Sequence, residues 1–215
     1  MFWNVTLTLL SGLGTTIQIF FLTLLFALPL GLVIAFGSMS RLTPLRWLCN
    51  TLVWIVRGTP LMLQLMVVYF GPYYLFRIKV GSGYRLWATF IGFVVNYAAY
   101  FAEIYRSGIQ SMPVGQYEAA QILGYSRFQT FFKIILPQVV KRILPSVTNE
   151  VITLVKDTSL AFTLSVAEMF SIAKALAASQ TNMIPFVAAG LFYYVFNLVV
   201  AVGMEWVEKK LNYYQ

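Results

Sequence analysis

The chain has 215 residues, of which 60% are hydrophobic and only 10% charged, and its net charge is +8. Soluble domains carry roughly 25% charged residues, so this composition favours a membrane protein with basic cytoplasmic loops over a soluble protein that binds nucleic acid. The chain has no His and a single Cys, Cys49, which excludes Ser-His and Cys-His catalytic pairs, an internal disulfide and a Cys/His zinc site.

Five segments are long and apolar enough to cross a bilayer, which takes about 20 mostly apolar residues. They cover residues 17–36 with an extension upstream toward residue 8, 59–76, 86–105, 134–160 and 186–204. The first charge is Arg41, so the first segment lacks the basic start of a secretory signal and is expected to be retained. The sequence therefore predicts an all-α, polytopic membrane protein with five transmembrane helices in one domain, residues 1–215.

The distribution of Lys and Arg predicts the orientation of these helices. If the loop around Glu118 is cytoplasmic, ten of the fifteen basic residues fall in cytoplasmic positions and four in outer loops, with Lys156 inside the fourth segment. Positive residues concentrate on the cytoplasmic side of membranes. We therefore predict an N-terminus outside, a C-terminus in the cytoplasm, and outer connections at 84–87 and 168–182, the latter with a short surface helix.

Polar residues recur on one face of the third segment. Asn96, Tyr100 and Glu103 are spaced i, i+4 and i+7, and Asn96 lies about 15 Å from the start of the segment, near the middle of the membrane. Polar side chains at such depth usually face the interior of a bundle or a water-filled path. We predict that these residues contact a substrate. The alternative is that Glu103 forms a structural salt bridge with Arg106 or Lys141.

The fourth segment carries two carboxylates on one face. Glu150, Thr153 and Asp157 are spaced i, i+3 and i+7. Measured from Arg142 at the cytoplasmic edge, Glu150 lies about 12 Å and Asp157 about 22 Å into the membrane. We predict that both carboxylates contact a substrate. The alternative is that Lys156 pairs with one of them.

The loop between the third and fourth segments has the local signals of two short helices. Pro113 suits a first helical turn, and Gly124 suits the left-handed residue that ends a helix. Ser126 and Gln129 form the capping-box pattern that begins the next helix. The sequence therefore predicts a helix, a bend and a second helix over about 111–132, outside the bilayer, in a position to bind another protein.

The same loop carries the pattern E-A-A-x3-G-x9-I-x-L-P, from Glu118 to Pro137. It resembles the cytoplasmic-loop signature of the membrane subunits of bacterial ATP-binding-cassette importers. Three further stretches resemble the branch of those permeases that transports polar, and in particular basic, amino acids. They are RGTPLMLQL at 57–65, AEIYRSGIQ at 102–110 and KDTSL at 156–160. The resemblance covers nearly the whole chain and implies the fold of a type I importer permease.

The resemblance also implies roles for individual residues. Glu118, Ala119, Ala120 and Gly124 would couple the chain to an ATPase. Thr158 and Ser159 would lie at a break in the fourth helix, where exposed backbone groups contact the carboxylate and amine of a bound amino acid.

An importer permease implies several partners and no enzymatic activity of its own. The chain has no G-x-x-x-x-G-K-[ST] phosphate-binding loop, so ATP and Mg would be bound by a separate ATPase dimer. The other expected partners are an extracytoplasmic amino-acid-binding protein, a second permease copy of identical or related sequence, and membrane lipid. No cofactor, metal or nucleic acid is expected on this chain.

The acidic residues indicate a cationic substrate such as arginine, lysine or histidine, because a carboxylate pairs well with a guanidinium or ammonium group. Glutamine or another polar amino acid is the alternative. A rival from another class is an ion-coupled carrier in which Glu103, Glu150 and Asp157 relay protons or sodium. The loop at Glu118 argues against that carrier, since an autonomous carrier needs no ATPase-binding site.

Overall fold

The fold is that of a computed structural model that describes residues 2–211. Residue 1 and residues 212–215 of the predicted domain lie outside the described residues. Throughout residues 2–211 the chain forms helices, turns and short connections, and this part contains no strand. The predicted all-α fold is therefore confirmed.

Nine α-helices follow one another along the described chain. They are α1 (Phe2–Ser38), α2 (Thr43–Arg57), α3 (Leu61–Phe76), α4 (Tyr84–Gln110), α5 (Val114–Ile122), α6 (Arg127–Gln129), α7 (Leu136–Asp157), α8 (Met169–Gln180) and α9 (Ile184–Leu211). A π-helical turn, Thr130–Ile135, joins α6 to α7, and a 3₁₀ segment, Thr158–Leu164, continues from α7.

By length and composition, the described helices provide two to four membrane spans. Helices α1 and α9 are each long and apolar enough to cross a membrane alone. Two bent pairs would each make one further span: α2 with α3, bent by 111°, and residues 127–164 with α8, bent by 59°. Helix α4 is not among them, since polar residues such as Asn96 and Glu103 interrupt its apolar sequence. Its 27 residues are nevertheless about 40 Å long, enough to cross a bilayer. The number of five spans stays a prediction.

The sequence analysis assigned no helix to residues 43–57, where the structure has α2. This helix begins with a proline in its first turn and is amphipathic, so it does not resemble a uniformly apolar span. It buries Val53 and Val56 and exposes Trp47 and Trp54. The predicted connection at 84–87 is also helical, since it forms the first turn of α4. The predicted short helix within 168–182 corresponds to α8.

Helix α4 lies at the centre of the bundle, with α1, α2, α3 and α7 packed around it. Its large buried side chains, Phe93, Tyr97 and Phe101, belong to the main core together with residues of α1, α3 and α7. Small buried residues, Ala99 and Ala102, lie where α1 and α2 approach. Small side chains let helix backbones come close together. As the central helix, α4 buries the polar side chains of Thr89 and Asn96 inside the bundle.

Cysteine labelling tests the predicted orientation. In a Cys49→Ser background, we expect Arg127→Cys to react with a membrane-impermeant maleimide only from the cytoplasmic side, and Ser82→Cys only from outside. Both positions are exposed at loops on either side of α4. Reaction of both cysteines in intact cells would contradict the orientation, and the same two variants in inverted vesicles provide the control.

Candidate functional site

A cavity of about 370 Å³, partly open at the surface of the chain, lies among the bundle helices. It is bounded by the break between α2 and α3, the middle of α4 and the last turns of α7. The lining residues are Thr59, Pro60, Leu61, Asn96, Tyr97, Tyr100, Glu150, Thr153, Asp157 and Leu160.

The break between α2 and α3 follows from the sequence Gly58-Thr59-Pro60. Pro60 has no N–H to donate, and its ring disfavours helical dihedral angles for Thr59. Gln64 stabilises the break, because its Nε2 donates to the carbonyl oxygens of Val56 at 2.7 Å and Thr59 at 3.0 Å. The chain direction therefore changes by 111° while two of the carbonyl groups at the bend remain hydrogen-bonded.

The start of α3 faces the cavity through Pro60 and Leu61. The N–H groups of Leu61 and Met62 begin the helix, where no carbonyl of the same helix can accept from them. The amino end of a helix also carries a partial positive charge. This side of the cavity is therefore suited to an anionic group such as a carboxylate.

Helix α4 joins both walls of the cavity. The Nδ2 of Asn96 donates to Oε1 of Gln64 at 3.0 Å, so the amide of α4 is connected to the α2–α3 break. The hydroxyl of Tyr97 donates to Oδ2 of Asp157 on α7 at 2.7 Å. Both α4 residues are buried. The positions of the polar groups on α3 and α7 therefore depend on α4.

The opposite wall carries two carboxylates. Glu150 and Asp157 both line the cavity and are half-buried, two turns apart on α7. Within residues 2–211, Lys156 forms an ion pair with neither of them inside 4 Å. The alternative, a salt bridge between Lys156 and one of these carboxylates, is therefore absent among the described residues. Two half-buried acidic groups on one wall of the cavity favour a cationic ligand.

Glu103 lies outside the cavity. Its carboxylate accepts from Arg106 at 3.1 and 2.5 Å and lies 4.0 Å from Arg57. The alternative pairing of Glu103 with Arg106 is thus present. Arg57 also lies over the ring of Tyr100, at 5.4 Å from the centroid, so a cationic side chain lies beside the cavity on the side toward the C-terminal end of α4.

Thr158 and Ser159 do not line the cavity either. Thr158 is fully buried and donates to the carbonyl oxygen of Val155 at 2.7 Å, and Ser159 donates to that of Lys156 at 2.8 Å. The change from α-helix to 3₁₀ helix occurs at Thr158, within the stretch where a break was predicted. The structure thus brings Asn96, Tyr100, Glu150 and Asp157 together, and the contact of the predicted residues with a substrate stays a prediction.

The sequence analysis missed Tyr97 and the α2–α3 break as parts of the site. A signal for Tyr97 existed, because a tyrosine in the middle of a span needs a hydrogen-bond partner for its hydroxyl. The Gly-Thr-Pro sequence at 58–60 is a strong helix breaker at the start of an apolar segment. No local pattern indicates Gln64, whose role depends on contacts across the bundle.

A larger cavity of about 740 Å³ lies between α1 and α4. Apolar and aromatic side chains line it, among them Phe26, Pro29 and Val94. It offers no charged group to a polar ligand. The smaller, polar cavity is therefore the candidate site.

The loop between α4 and α7 has the geometry that its sequence predicts. Gly124 has φ +78°, and α5 ends there in a pair of hydrogen bonds, from Tyr125 N–H to Ala120 O and from Gly124 N–H to Gln121 O, both 3.0 Å. Ser126 and Gln129 exchange the two hydrogen bonds of a capping box, at 3.2 and 2.9 Å. One detail differs from the prediction. Pro113 immediately precedes α5 and does not lie within its first turn.

The loop presents apolar side chains to its surroundings. Ile122, Leu123 and Phe128 are 86%, 72% and 71% exposed. Glu118 and Ala119 are exposed beside them, whereas Ala120 is buried and faces the bundle. Clusters of exposed apolar residues outside a bilayer indicate a protein-binding surface. We refer to the residues of α5 and α6 with the bend between them, 114–129, as the coupling surface.

Residues 27–213 match the family of binding-protein-dependent transport system inner membrane components, and the chain belongs to this family. Its members are the membrane permeases of ATP-binding-cassette importers, which are transport subunits without catalytic activity of their own. The resemblance inferred from the loop signature is thereby confirmed.

Two relatives and one solved structure are similar to this chain over nearly its full length. The chain is 35% identical over 205 residues to the arginine transport system permease protein ArtQ of Bacillus subtilis, covering 95% of this chain and 92% of that protein. It is 33% identical over 215 residues to the L-cystine transport system permease protein TcyB of the same organism, covering 99% and 89%.

The solved structure is that of an amino acid ABC transporter with histidines. It superposes with a TM-score of 0.87 at 29% identity and covers 96% of this chain and 95% of that one. The type I permease fold is therefore shown over nearly the full length.

Substitution of Gly124 tests the coupling surface. We expect Gly124→Val to leave the chain in the membrane but to weaken its copurification with the importer's ATPase. A β-branched residue at positive φ costs more than the 1–2 kcal/mol or so of an ordinary side chain. Gly124→Asn provides the control, because Asn tolerates this conformation, and it should retain the ATPase. Equal copurification with both variants would show that the bend is not needed for docking.

Proposed function

We propose that the chain forms the translocation pathway of an ATP-driven importer of cationic amino acids, with the polar cavity as its substrate site. The observation that supports this proposal is the pair of half-buried carboxylates, Glu150 and Asp157, which share one cavity without a cationic side chain within 4 Å in the described residues. Charged groups inside a membrane protein usually mark the path of the transported solute.

The cavity complements both ends of a cationic amino acid. The carboxylates of α7 would bind the guanidinium or ammonium group, and an arginine side chain could engage one of them through two parallel hydrogen bonds. The amino end of α3, at Leu61 and Met62, would bind the substrate's own carboxylate. A volume of about 370 Å³ lies at the lower end of the range of small-ligand sites and suits one amino acid.

Relatives support an amino acid substrate but do not decide its charge. The arginine and cystine permeases are almost equally similar to this chain, at 35% and 33% identity. The preference for a cation therefore rests on Glu150 and Asp157 alone. Glutamine is the second candidate, because the paired amides of Asn96 and Gln64 beside the cavity could bind a neutral side-chain amide.

Energy would come from a separate ATPase dimer that binds ATP and Mg. The coupling surface is inserted between α4 and α7, the two helices that carry most of the polar residues of the cavity. Met112, Ile135 and Val139 pack together at its base, and Arg142 of α7 donates to the carbonyl oxygen of Ser111 at 2.7 Å. A displacement of the coupling surface would therefore move both cavity walls and alternate the side from which the site is open.

The complete importer would contain a second permease copy, of identical or related sequence, and an extracytoplasmic protein that delivers the amino acid. The permease would lie in the bacterial inner membrane with its N-terminus outside and its C-terminus in the cytoplasm. An ion-coupled carrier is less well supported, because Glu103 is paired with Arg106 and leaves only two carboxylates for a relay. Transport by the chain without any ATPase would revive that alternative.

Replacement of Glu150 by Gln tests the charge preference. The variant keeps the shape of the side chain and removes its charge, so arginine should lose about 1.5–3 kcal/mol of binding free energy, or roughly ten- to a hundredfold in affinity. Glutamine binding should change much less. The measurement is equilibrium binding of radiolabelled arginine and glutamine to the purified complex of permease and ATPase, without the binding protein.

Thr153→Val is the matched control on the same face of α7, because it changes a cavity side chain without changing charge. An unchanged arginine affinity in Glu150→Gln would remove Glu150 from the site. Equal losses for arginine and glutamine would make it a structural carboxylate.

A further inference from the structure

Glu168 is a fully buried carboxylate that no step of the proposed transport uses. It precedes α8, and its relative exposure is 0%. Its oxygens accept from the backbone N–H of Phe170 at 2.7 Å and of Ser171 at 2.6 Å, and from the hydroxyl of Tyr193 at 3.0 Å. The carboxylate therefore caps α8 and connects this helix to α9.

The same cluster includes the first helix. The N–H of Met169 donates to the hydroxyl of Thr16 on α1 at 3.3 Å, and Thr16 is itself fully buried. Gly12 makes the approach possible, since a Cβ at this position would lie 2.8 Å from the nitrogen of Met169. The helices α1, α8 and α9 thus meet at Glu168.

Tyr193 links this cluster to the cavity. Besides donating to Glu168, Tyr193 packs against the main core, which includes Leu154 and Val155 before Thr158 and Ala161 after it. Thr158 directly follows Asp157, one of the two carboxylates of the cavity. The contacts therefore run from Glu168 through Tyr193 to the core residues on either side of Asp157.

A second connection runs along the backbone. The 3₁₀ segment starts at Thr158, and its residues Ala161 and Leu164 are buried in the core. It ends at Ser165, which has φ +55°, and Glu168 lies three residues further on. Leu160 of the same segment lines the cavity. The near end of the segment follows Asp157, which accepts from Tyr97, and the segment packs against α8, whose first turn Glu168 caps.

We propose that Glu168 is a positioning residue for the substrate cavity, holding Tyr193 and the 3₁₀ segment so that Asp157 and Leu160 keep their places in the cavity wall. Glu168 does not touch the substrate. It acts through Tyr193 and through the cap of α8. This inference rests on the proposed function, because it assigns Glu168 to the same site.

Two variants test the proposal on the complete complex of permease and ATPase. Glu168→Gln keeps the size of the side chain but leaves only one oxygen that can accept hydrogen bonds, whereas the carboxylate has two. Tyr193→Phe keeps the two backbone hydrogen bonds of Glu168 and removes the hydrogen bond between Tyr193 and Glu168. Glu205→Gln is the control, since Glu205 is an exposed carboxylate paired with Lys209 in the last turns of α9.

The measurements are equilibrium binding of radiolabelled L-arginine and L-glutamine, the maximal rate of ATP hydrolysis, and the midpoint of thermal unfolding. We expect Glu168→Gln and Tyr193→Phe to weaken binding of the preferred amino acid by about tenfold, in keeping with the loss of one hydrogen bond to a charged group. The maximal rate should change less than twofold, and Glu205→Gln should behave like the native chain.

A lower unfolding midpoint with unchanged amino acid affinity in Tyr193→Phe would overturn the proposal, because Glu168 would then serve stability alone. If Glu168→Gln fails to assemble, Tyr193→Phe decides the question by the same binding measurement. A native complex that binds neither amino acid would refute the proposed function itself. If the native complex binds an amino acid and both variants bind it with the same affinity, only the role of Glu168 is refuted.

Discussion

Two helices are interrupted inside an apolar bundle, and the structure depends on these interruptions. Where each helix is interrupted, other groups must form the hydrogen bonds that its backbone N–H and C=O groups lose. In a membrane an unpaired backbone group costs several kcal/mol, so a helix can break only where other groups replace its hydrogen bonds. Gln64 does so at the α2–α3 bend through two carbonyl oxygens. At the end of α7 the 3₁₀ segment retains short-range hydrogen bonds and is buried. The polar cavity lies between these two interruptions, with the free end of α3 on one side and two carboxylates on the other.

Helix α4 connects the interruptions to each other and to the coupling surface. Asn96 contacts the α2–α3 break, Tyr97 contacts Asp157, and the same helix ends close to α5. A rigid helix of this length can transmit a displacement at its C-terminal end to side chains near its middle, provided that the packed elements have two stable arrangements. The close packing of small residues such as Ala99 and Ala102 against α1 and α2 makes α4 suited to move with its neighbours as a unit.

Helical periodicity was sufficient to place Asn96 with Tyr100, and Glu150 with Asp157, because residues on one face of a helix remain neighbours whatever the tertiary fold. The capping signals of the loop were sufficient for the same reason, since Gly124, Ser126 and Gln129 act within a few residues. Glu103 does not line the cavity, because its carboxylate pairs with Arg106 and lies 4.0 Å from Arg57, on a helix that the hydropathy pattern did not indicate. Gln64, Tyr97 and Glu168 each contact a residue of a distant segment, namely Asn96, Asp157 and Tyr193, and no local pattern identifies these partners.

The central claim is that a cationic amino acid binds between the amino end of α3 and the carboxylates of α7. A cryo-electron microscopy structure of the complete complex, determined with and without L-arginine, tests it most directly. The account predicts arginine density in the cavity, with the guanidinium at Glu150 or Asp157 and the carboxylate at the N–H groups of Leu61 and Met62. Arginine bound elsewhere in the permease, or a cavity filled by a basic side chain of the second permease copy, would contradict it.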